Sequence, residues 1–256
     1  MEVQRDRIAN ENAAAAKAPW AGNFYNGDGT GTNVRLSLAP HAGVAATSRG
    51  CMGTYAANKG AVIPQADGSL LLKYEQPNDE RGIGFADHVV PVAWGERMYL
   101  IPEKQLAEFA SAVNLGDEPR TSAFGLFLMR EGDEQRQASG LPALPPEAKR
   151  LIQQAPLAVG VISATRLPDK DPDHFICRYR LELDHGAKAG LAAGMELTTT
   201  NVRGGNRVIL DQTTPTRAIG TMYLYGDDCT DSTQRPSAKT RFTTGAYQAA
   251  QPKRSP

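Results

Sequence analysis

The chain has 256 residues and a balanced composition, with 41% hydrophobic, 22% charged and 7% aromatic residues. These values are ordinary for globular domains and exclude a chain that is disordered over most of its length. Lysine plus arginine and aspartate plus glutamate each number 28, so the basic excess of nucleic-acid-binding proteins is missing and no nucleic-acid partner is expected.

No apolar stretch approaches the roughly 20 residues that a membrane-spanning helix needs, which predicts a soluble protein without a transmembrane segment. Residues 1–19 are polar and alanine-rich, and we interpret them as an N-terminal appendage. A short helix is compatible with this segment, and Pro19 would end it.

Short apolar runs that alternate with polar residues extend from Trp20 to residue 130. Val34, Leu36 and Leu38 show the two-residue period of a strand with one buried face. Glycine-containing turns separate such runs, which predicts an antiparallel meander or barrel-like sheet over residues 20–130. We predict its strands at 34–38, 44–48, 51–55, 61–64, 69–74, 88–93, 97–101 and 124–129.

One amphipathic helix is predicted at residues 103–113 of this unit. Leu106, Phe109, Ala110 and Val113 recur at helical spacing and therefore share one face. We expect that face to lie on the sheet.

Residues 131–146 are rich in Gly, Glu, Gln and Pro, which is typical of a linker or an ordered loop. We place the boundary between two units there. The second unit, residues 147–246, is predicted to begin with a helix at 147–154 and to form a second small β-barrel-like unit, followed by a disordered tail at 247–256. Its strands are predicted at 159–165, 175–183, 195–200, 207–211, 218–224 and 240–243. The predicted fold class is mostly β, of the β-rich α+β kind.

The glycine-rich start of the first unit carries a resemblance to other proteins. Residues Trp20 to Asn33 fit the pattern W-A-G-x-x-Y-x-G-D-G-x-G-x-N, and Gly50 to Tyr55 and Val90 to Pro102 extend the match. The chain resembles a group of uncharacterised bacterial proteins that often carry a leader segment and have no known activity. The resemblance implies one integrated bacterial protein. Because this chain lacks the leader, we expect an exported protein from which it has been removed.

Four aromatic residues and one aspartate are candidate ligand-binding residues. Aromatic side chains offer large, rigid contact area, although in a chain this poor in them we favour a role as core anchors. The aspartate lies in a glycine-rich segment that lacks the P-loop pattern and that we interpret as a hairpin turn. The five residues are Trp20, Tyr25, Asp28, Tyr55 and Trp94.

A candidate cation site lies at Asp169, Asp171 and Asp173, whose alternate carboxylates could offer oxygen ligands to a hard cation. We favour a solvated loop between strands, because charged runs are usually exposed. No metal or other cofactor is expected.

Cys51, Cys177 and Cys229 are far apart in sequence, and none belongs to a C-x-x-C motif. A zinc knuckle or thioredoxin-like site is therefore not supported. We favour three buried thiols in a reducing compartment. In an oxidising compartment, one disulfide and one free thiol would result. Neither a Cys-His-acid arrangement nor a G-x-S-x-G motif is visible, so no catalytic residue is assigned.

These observations favour a binding or structural module of the bacterial cell envelope over an enzyme. A periplasmic or secreted mature chain is favoured, with a cytoplasmic one as the alternative if the N-terminus is native. Two other functions stay open: a hydrolase whose site is assembled from distant residues, and an inhibitor or immunity-type protein. A cleft with Cys or His beside a carboxylate would favour the first, and a large exposed apolar patch the second. The sequence does not indicate the ligand or protein partner.

Overall fold

Two barrels make up the described part of the chain. The computed structural model describes residues 1–14, 18–27, 31–77, 84–117, 127–168, 176–200 and 205–247. The first unit contains the described residues up to 105 and those at 127–144, and the second contains 106–117 and those from 145 onward. Both units are closed antiparallel barrels, which confirms the predicted mostly β fold class. No helix within these residues has the length and hydropathy needed to cross a membrane.

The first unit is an eight-stranded barrel preceded by a helix. Its elements are α1 (Glu2–Ala14), β1 (Gly22–Asn26), β2 (Asn33–Ala39), β3 (Gly43–Gly50), β4 (Gly53–Pro64), β5 (Leu70–Tyr74), β6 (His88–Trp94), β7 (Arg97–Pro102), a 3-10 turn (Glu103–Gln105) and β8 (Leu128–Arg130). Each strand pairs with the next in sequence, and β8 pairs with β1 to close the barrel.

Alternation along the strands separates the interior of the first barrel from its outer wall. Val34, Leu36 and Leu38 of β2 belong to the interior core, whereas Arg35 between them is exposed on the wall. Side chains therefore fill the interior, as is usual for a barrel of eight strands. The core contains Phe24, Val34, Leu36, Leu38, Val44, Ala46, Val62, Leu70, Leu72, Phe85, Val89, Leu100 and Leu128.

Three strands of this barrel differ from the predicted ones. The run predicted at 124–129 lies partly outside the described residues, and the strand found there, β8, spans Leu128–Arg130. The runs predicted at 51–55 and 61–64 form one strand, β4, because residues 56–60 pair with β3 or β5 despite their low β propensity. β1 is not among the predicted strands, since of its five residues only Phe24 is buried. The strands predicted at 34–38, 44–48, 69–74, 88–93 and 97–101 are confirmed.

Residues 131–144, within the predicted linker or ordered loop, contact the ends of β6 and β7. Trp94 Nε1 donates a hydrogen bond to the Gly140 carbonyl at 2.7 Å. The buried carboxylate of Asp133 accepts one from the Met98 N–H at 2.9 Å. These bonds fix the segment against the first barrel.

The second unit is a six-stranded barrel with two helices. Its elements are α2 (Leu106–Leu115), α3 (Pro146–Lys149), β9 (Ala158–Arg166), β10 (Ile176–Leu183), β11 (Glu196–Thr199), β12 (Arg207–Thr213), β13 (Ala218–Tyr225), β14 (Arg241–Thr243) and 3-10 turns at Ala187–Ala189 and Gly226–Cys229. The strand order is β10-β13-β12-β11-β14-β9, and β9 pairs with β10 to close the barrel. Every predicted strand of this unit is present, although the helix predicted at 147–154 is only one turn long.

Helix α2 corresponds to the helix predicted at 103–113, and the four apolar residues that predicted it are buried. Within the second unit it contacts β11 and α3. The buried side chain of Asn114 donates to the Leu151 carbonyl and accepts from the Gln153 N–H, both at 2.9 Å. These two bonds join α2 to the residues that follow α3.

The cysteines correct the favoured interpretation of three buried thiols. Cys177 of β10 and Cys229 form a disulfide, while Cys51 is free and exposed. β10 pairs with β13, and Cys229 lies in the 3-10 turn directly after β13, so the fold itself brings the two sulfurs together. The structure therefore matches the alternative of one disulfide and one free thiol.

We expect one titratable thiol per unfolded chain before reduction and three after it, measured with a thiol-specific chromogenic reagent. Reduction should lower the free energy of unfolding by about 2–4 kcal/mol, because the bond constrains a long loop in the unfolded chain. A Cys51→Ser variant should keep the stability of the wild type and show no thiol before reduction. Two or more thiols in the unreduced wild type would contradict the disulfide.

Candidate functional site

Polar side chains of α1 fix the helix to the turn between β2 and β3. The Glu11 carboxylate accepts hydrogen bonds from the His41 N–H at 3.0 Å and the Ala42 N–H at 2.6 Å. Desolvation opposes ionisation of Glu11, yet these two N–H groups hold its pKa below the usual range. Gln4 Nε2 donates to the Ala42 carbonyl. The helix therefore has a defined position on the barrel.

A small apolar contact completes this docking. Ile8 is 1% exposed and packs against Ala39 and Ala45 on the outer wall of the barrel. Asn12 Nδ2 donates to the Leu38 carbonyl at 3.0 Å. Because Ile8 is the buried residue of the helix, space remains along its flanks.

One flank of α1 forms an open groove against β1, β2 and the end of β8. A cavity of about 430 Å³ and a neighbouring one of about 180 Å³ share Ala9, Asn23 and Glu131. The larger cavity also contains Arg130, and the smaller contains Arg5. We call the two cavities together the α1 groove.

Arg130 brings an unused hydrogen-bond donor to the α1 groove. Its guanidinium lies 5.6 Å from the centre of the Phe24 ring, and Nη2 donates to the Pro19 carbonyl. Its Nε atom is buried and has no hydrogen-bond acceptor within the described residues. A buried N–H without an acceptor costs free energy, which a bound ligand would recover.

Two further arginines line the smaller cavity. Arg5 donates to the hydroxyl of Thr47, and Arg35 forms an ion pair with Glu131 at 3.6 Å. Burial and the charges of Arg49 and Arg35 lower the pKa of Arg5, and Glu131 opposes this effect. Positively charged side chains therefore lie close together at the end of the groove formed by the smaller cavity.

A third cavity, of about 380 Å³, lies on the opposite flank of α1, toward β4 and β5. It contains Arg7, His41, Lys73 and Glu75, which carry charges of both signs. None of the residues that line this third cavity has a buried polar atom without a partner among the described residues. The α1 groove is for this reason the stronger candidate site.

The four aromatic candidates occupy separate places in the first unit. Trp20 packs against the interior core, and Tyr25 is half-buried in β1. Trp94 is tied to the loop after β8, and Tyr55 is 45% exposed near the turn between β3 and β4. None of the four lines the α1 groove or the third cavity.

Asp28, Asp169, Asp171 and Asp173 lie outside the described residues, so both interpretations of these aspartates stay predictions. Within the part of the chain that the structure describes, no three His, Cys, Asp or Glu side chains are arranged to hold a metal ion.

Two carboxylates, one buried and one partly buried, lie in the second unit, on β11 and on α2. Glu196 is 2% exposed; its Oε2 accepts a hydrogen bond from Arg207 at 2.9 Å, while Oε1 has no partner among the described residues. Ser111 Oγ accepts from the Glu196 N–H at 3.0 Å. Glu108, one helical turn before Ser111, has a buried Oε2 that also lacks a partner there.

Burial and the charge of Glu196 raise the pKa of Glu108 to about 7. Burial also raises the pKa of Glu196, despite the opposing effect of Arg207. Arg207 in turn pairs with Asp117 at 2.8 Å. Glu108 can therefore hold a proton near neutral pH, but neither Glu108 nor Glu196 lines the α1 groove or the third cavity.

Sequence reasoning missed the arginines of the α1 groove. The alternation in β2 predicts only that Arg35 is exposed, and Arg5 lies in a polar segment without a motif. Arg130 follows directly after a predicted strand. Their convergence depends on the docking of α1 and on barrel closure, for which the local sequence has no signal.

No protein-family model, curated protein or solved structure matches the chain. A functional assignment therefore rests on the geometry of the described residues. The unused donor of Arg130 in the α1 groove is the observation that points most directly to a ligand.

We expect Ile8→Ala to release α1 from the barrel, because truncation of a buried isoleucine costs about 2–4 kcal/mol. Hydrogen–deuterium exchange should show faster exchange of the amides of α1, with the amides of β2 and β3 still protected. Val3→Ala is the matched control, since Val3 is 73% exposed on the same helix. Unchanged protection of α1 in Ile8→Ala would contradict the docking.

Glu108 should make the free energy of unfolding fall as pH rises from about 4.5 to about 7. Its folded pKa is about 7 and its ordinary value 4.5, so between these values the folded chain binds more protons than the unfolded chain. The expected loss is about 1–2 kcal/mol, reduced from the full shift because the side chain is partly solvated.

Glu108→Gln should remove most of this slope in urea unfolding at pH 5 to 8 and should be more stable than the wild type at pH 8. The exposed Glu147→Gln variant should keep the slope. A wild-type slope of the opposite sign would show that Glu108 is ionised in the folded chain.

Proposed function

We propose that the protein is an extracytoplasmic binding module that holds a small ligand in the α1 groove. The observation that carries this proposal is the groove itself, lined by Arg130, whose buried Nε has no acceptor among the described residues. A ligand with an oxygen acceptor would complete this hydrogen bond.

The size and lining of the groove support a small molecule. Its larger cavity, about 430 Å³, falls in the range of small-molecule sites. Small residues such as Ala13, Ala21 and Gly22 leave room beside the polar side chains of Asn12 and Asn23. The site thus combines an apolar floor with a few polar groups that can orient a ligand.

The filled interior of the first barrel argues for binding on its wall. Phe24, Leu100 and Leu128 belong to a continuous core, and each is at most 1% exposed. A ligand inside the barrel would have to displace such side chains. The wall beneath α1, by contrast, offers preformed space and, within the described residues, one buried donor without an acceptor, the Nε of Arg130.

The disulfide supports a location outside the cytoplasm. Cys177 and Cys229 are buried and bonded, and such structural disulfides persist in oxidising compartments. This pairing also removes two of the three cysteines as nucleophiles. The contact of the remaining one, Cys51, is the Tyr55 hydroxyl at 3.8 Å, which is not a base for thiol activation.

The proposal predicts that Ala9→Trp abolishes ligand retention, because Ala9 lines both cavities and an indole there would fill the groove. Wild type and variant are dialysed against the same bacterial periplasmic extract, and retained small molecules are identified by mass spectrometry. We expect at least one compound to be enriched by the wild type alone.

Ala164→Trp is the matched control, since it places the same indole on an exposed strand position in the second barrel. Circular dichroism should show equal folding of the three proteins. If Ala9→Trp retains every compound that the wild type retains, the groove is not the binding site.

A further inference from the structure

Three arginines lie near one another on the wall of the first barrel. Arg35 of β2 pairs in register with Thr47 of β3, and Arg49 lies two residues further along β3 on the same face. Arg5 of α1, which packs on the outer wall, donates a hydrogen bond to the Thr47 hydroxyl. We call Arg5, Arg35 and Arg49 the arginine cluster.

The charge of the arginine cluster is only partly neutralised. Glu131 pairs with Arg35 at 3.6 Å, whereas Arg49 has no ion pair with a carboxylate of the described residues. Asp6 also lines the smaller cavity, but it is not bonded to any of the three arginines there. Like charges held this close repel one another, and a bound anion would relieve the repulsion.

We propose that the arginine cluster binds the phosphate group of a small ligand whose remainder lies in the α1 groove. The proposal rests on the function proposed above and names the chemical class of its ligand. A carboxylate is planar and is satisfied by one bidentate guanidinium. A phosphate group presents three terminal oxygens and up to two charges, which suits donors that approach from a helix and from two strands.

The groove accommodates the remainder of such a ligand. The smaller cavity contains Arg5 and Arg35 and adjoins the larger one at Ala9, Asn23 and Glu131. The Glu131 carboxylate offers an acceptor for hydroxyl groups next to the phosphate. Arg130 lies beyond it and offers its unused donor to an oxygen of the ligand.

The test measures binding of inorganic phosphate and of glycerol phosphate by calorimetry and ³¹P NMR in a phosphate-free buffer, with acetate as the carboxylate probe. Both phosphates should bind saturably, more weakly at high salt, and more tightly than acetate. Arg35→Gln and Arg49→Gln should each weaken phosphate binding roughly tenfold or more, the scale of one charge-assisted hydrogen bond. The exposed Arg180→Gln of the second barrel, with the same loss of charge, should bind as the wild type does.

Absence of saturable phosphate binding, equal binding by Arg49→Gln and the wild type, or acetate binding as tight as that of phosphate would each overturn the assignment. The Ala9→Trp variant separates this proposal from the function it rests on. If Ala9→Trp loses retained ligand while Arg35→Gln and Arg49→Gln keep it, the groove binds a ligand but the phosphate class is wrong. If phosphate binding needs the arginines but glycerol phosphate binds Ala9→Trp as tightly as the wild type, the ligand does not occupy the groove.

Discussion

The pairing of β1 with β8 is the constraint on which the first unit and its candidate site depend. Phe24 pairs in register with Arg130, and Tyr25 with Met129, so strands from opposite ends of the meander become neighbours. The pairing satisfies the backbone groups of both edge strands and closes the interior core. It also places Arg130 and Glu131 beside Asn23, which forms the wall of the α1 groove. Barrel closure and the geometry of the groove therefore come from the same few residue pairs.

Helix α1 forms the other side of the α1 groove, opposite this wall. Its docking combines one buried apolar residue, Ile8, with backbone hydrogen bonds to Glu11, Gln4 and Asn12. A helix with a broad apolar face would pack closely along its whole length and leave no cavity. Polar docking at the β2–β3 turn fixes the helix while its flank stays open to solvent.

The second barrel is stabilised in a different way. A disulfide fastens β10 to the turn after β13, and the buried Glu196 uses Arg207 as its counter-ion. The guanidinium of Arg207 also forms an ion pair with Asp117, so it pairs with two carboxylates. Glu108 forms no ion pair among the described residues, and burial together with the charge of Glu196 raises its pKa to about 7.

Much of the fold was predictable because the relevant signals are local. Val34, Leu36 and Leu38 alternate at the period of a strand, Cys177 to Leu183 do the same in β10, and Leu106 to Val113 repeat at the period of a helix. Strand β1 was not predicted, because it has only one buried residue, Phe24, and therefore shows no alternation of apolar and polar side chains. The candidate site could not be predicted, because the arginines that form it belong to elements with no shared motif.

The sequence by itself therefore determined the mostly β class, most of the strands and the position of α2, since each depends on the spacing of neighbouring side chains. Only the tertiary structure decided that Arg5 meets Thr47, that Arg130 lies against Phe24, that the charge of Glu196 acts on Glu108 and that Cys177 bonds to Cys229. The physical reason is that these contacts join residues distant in the chain. They exist only once strand pairing and helix docking have brought the elements together.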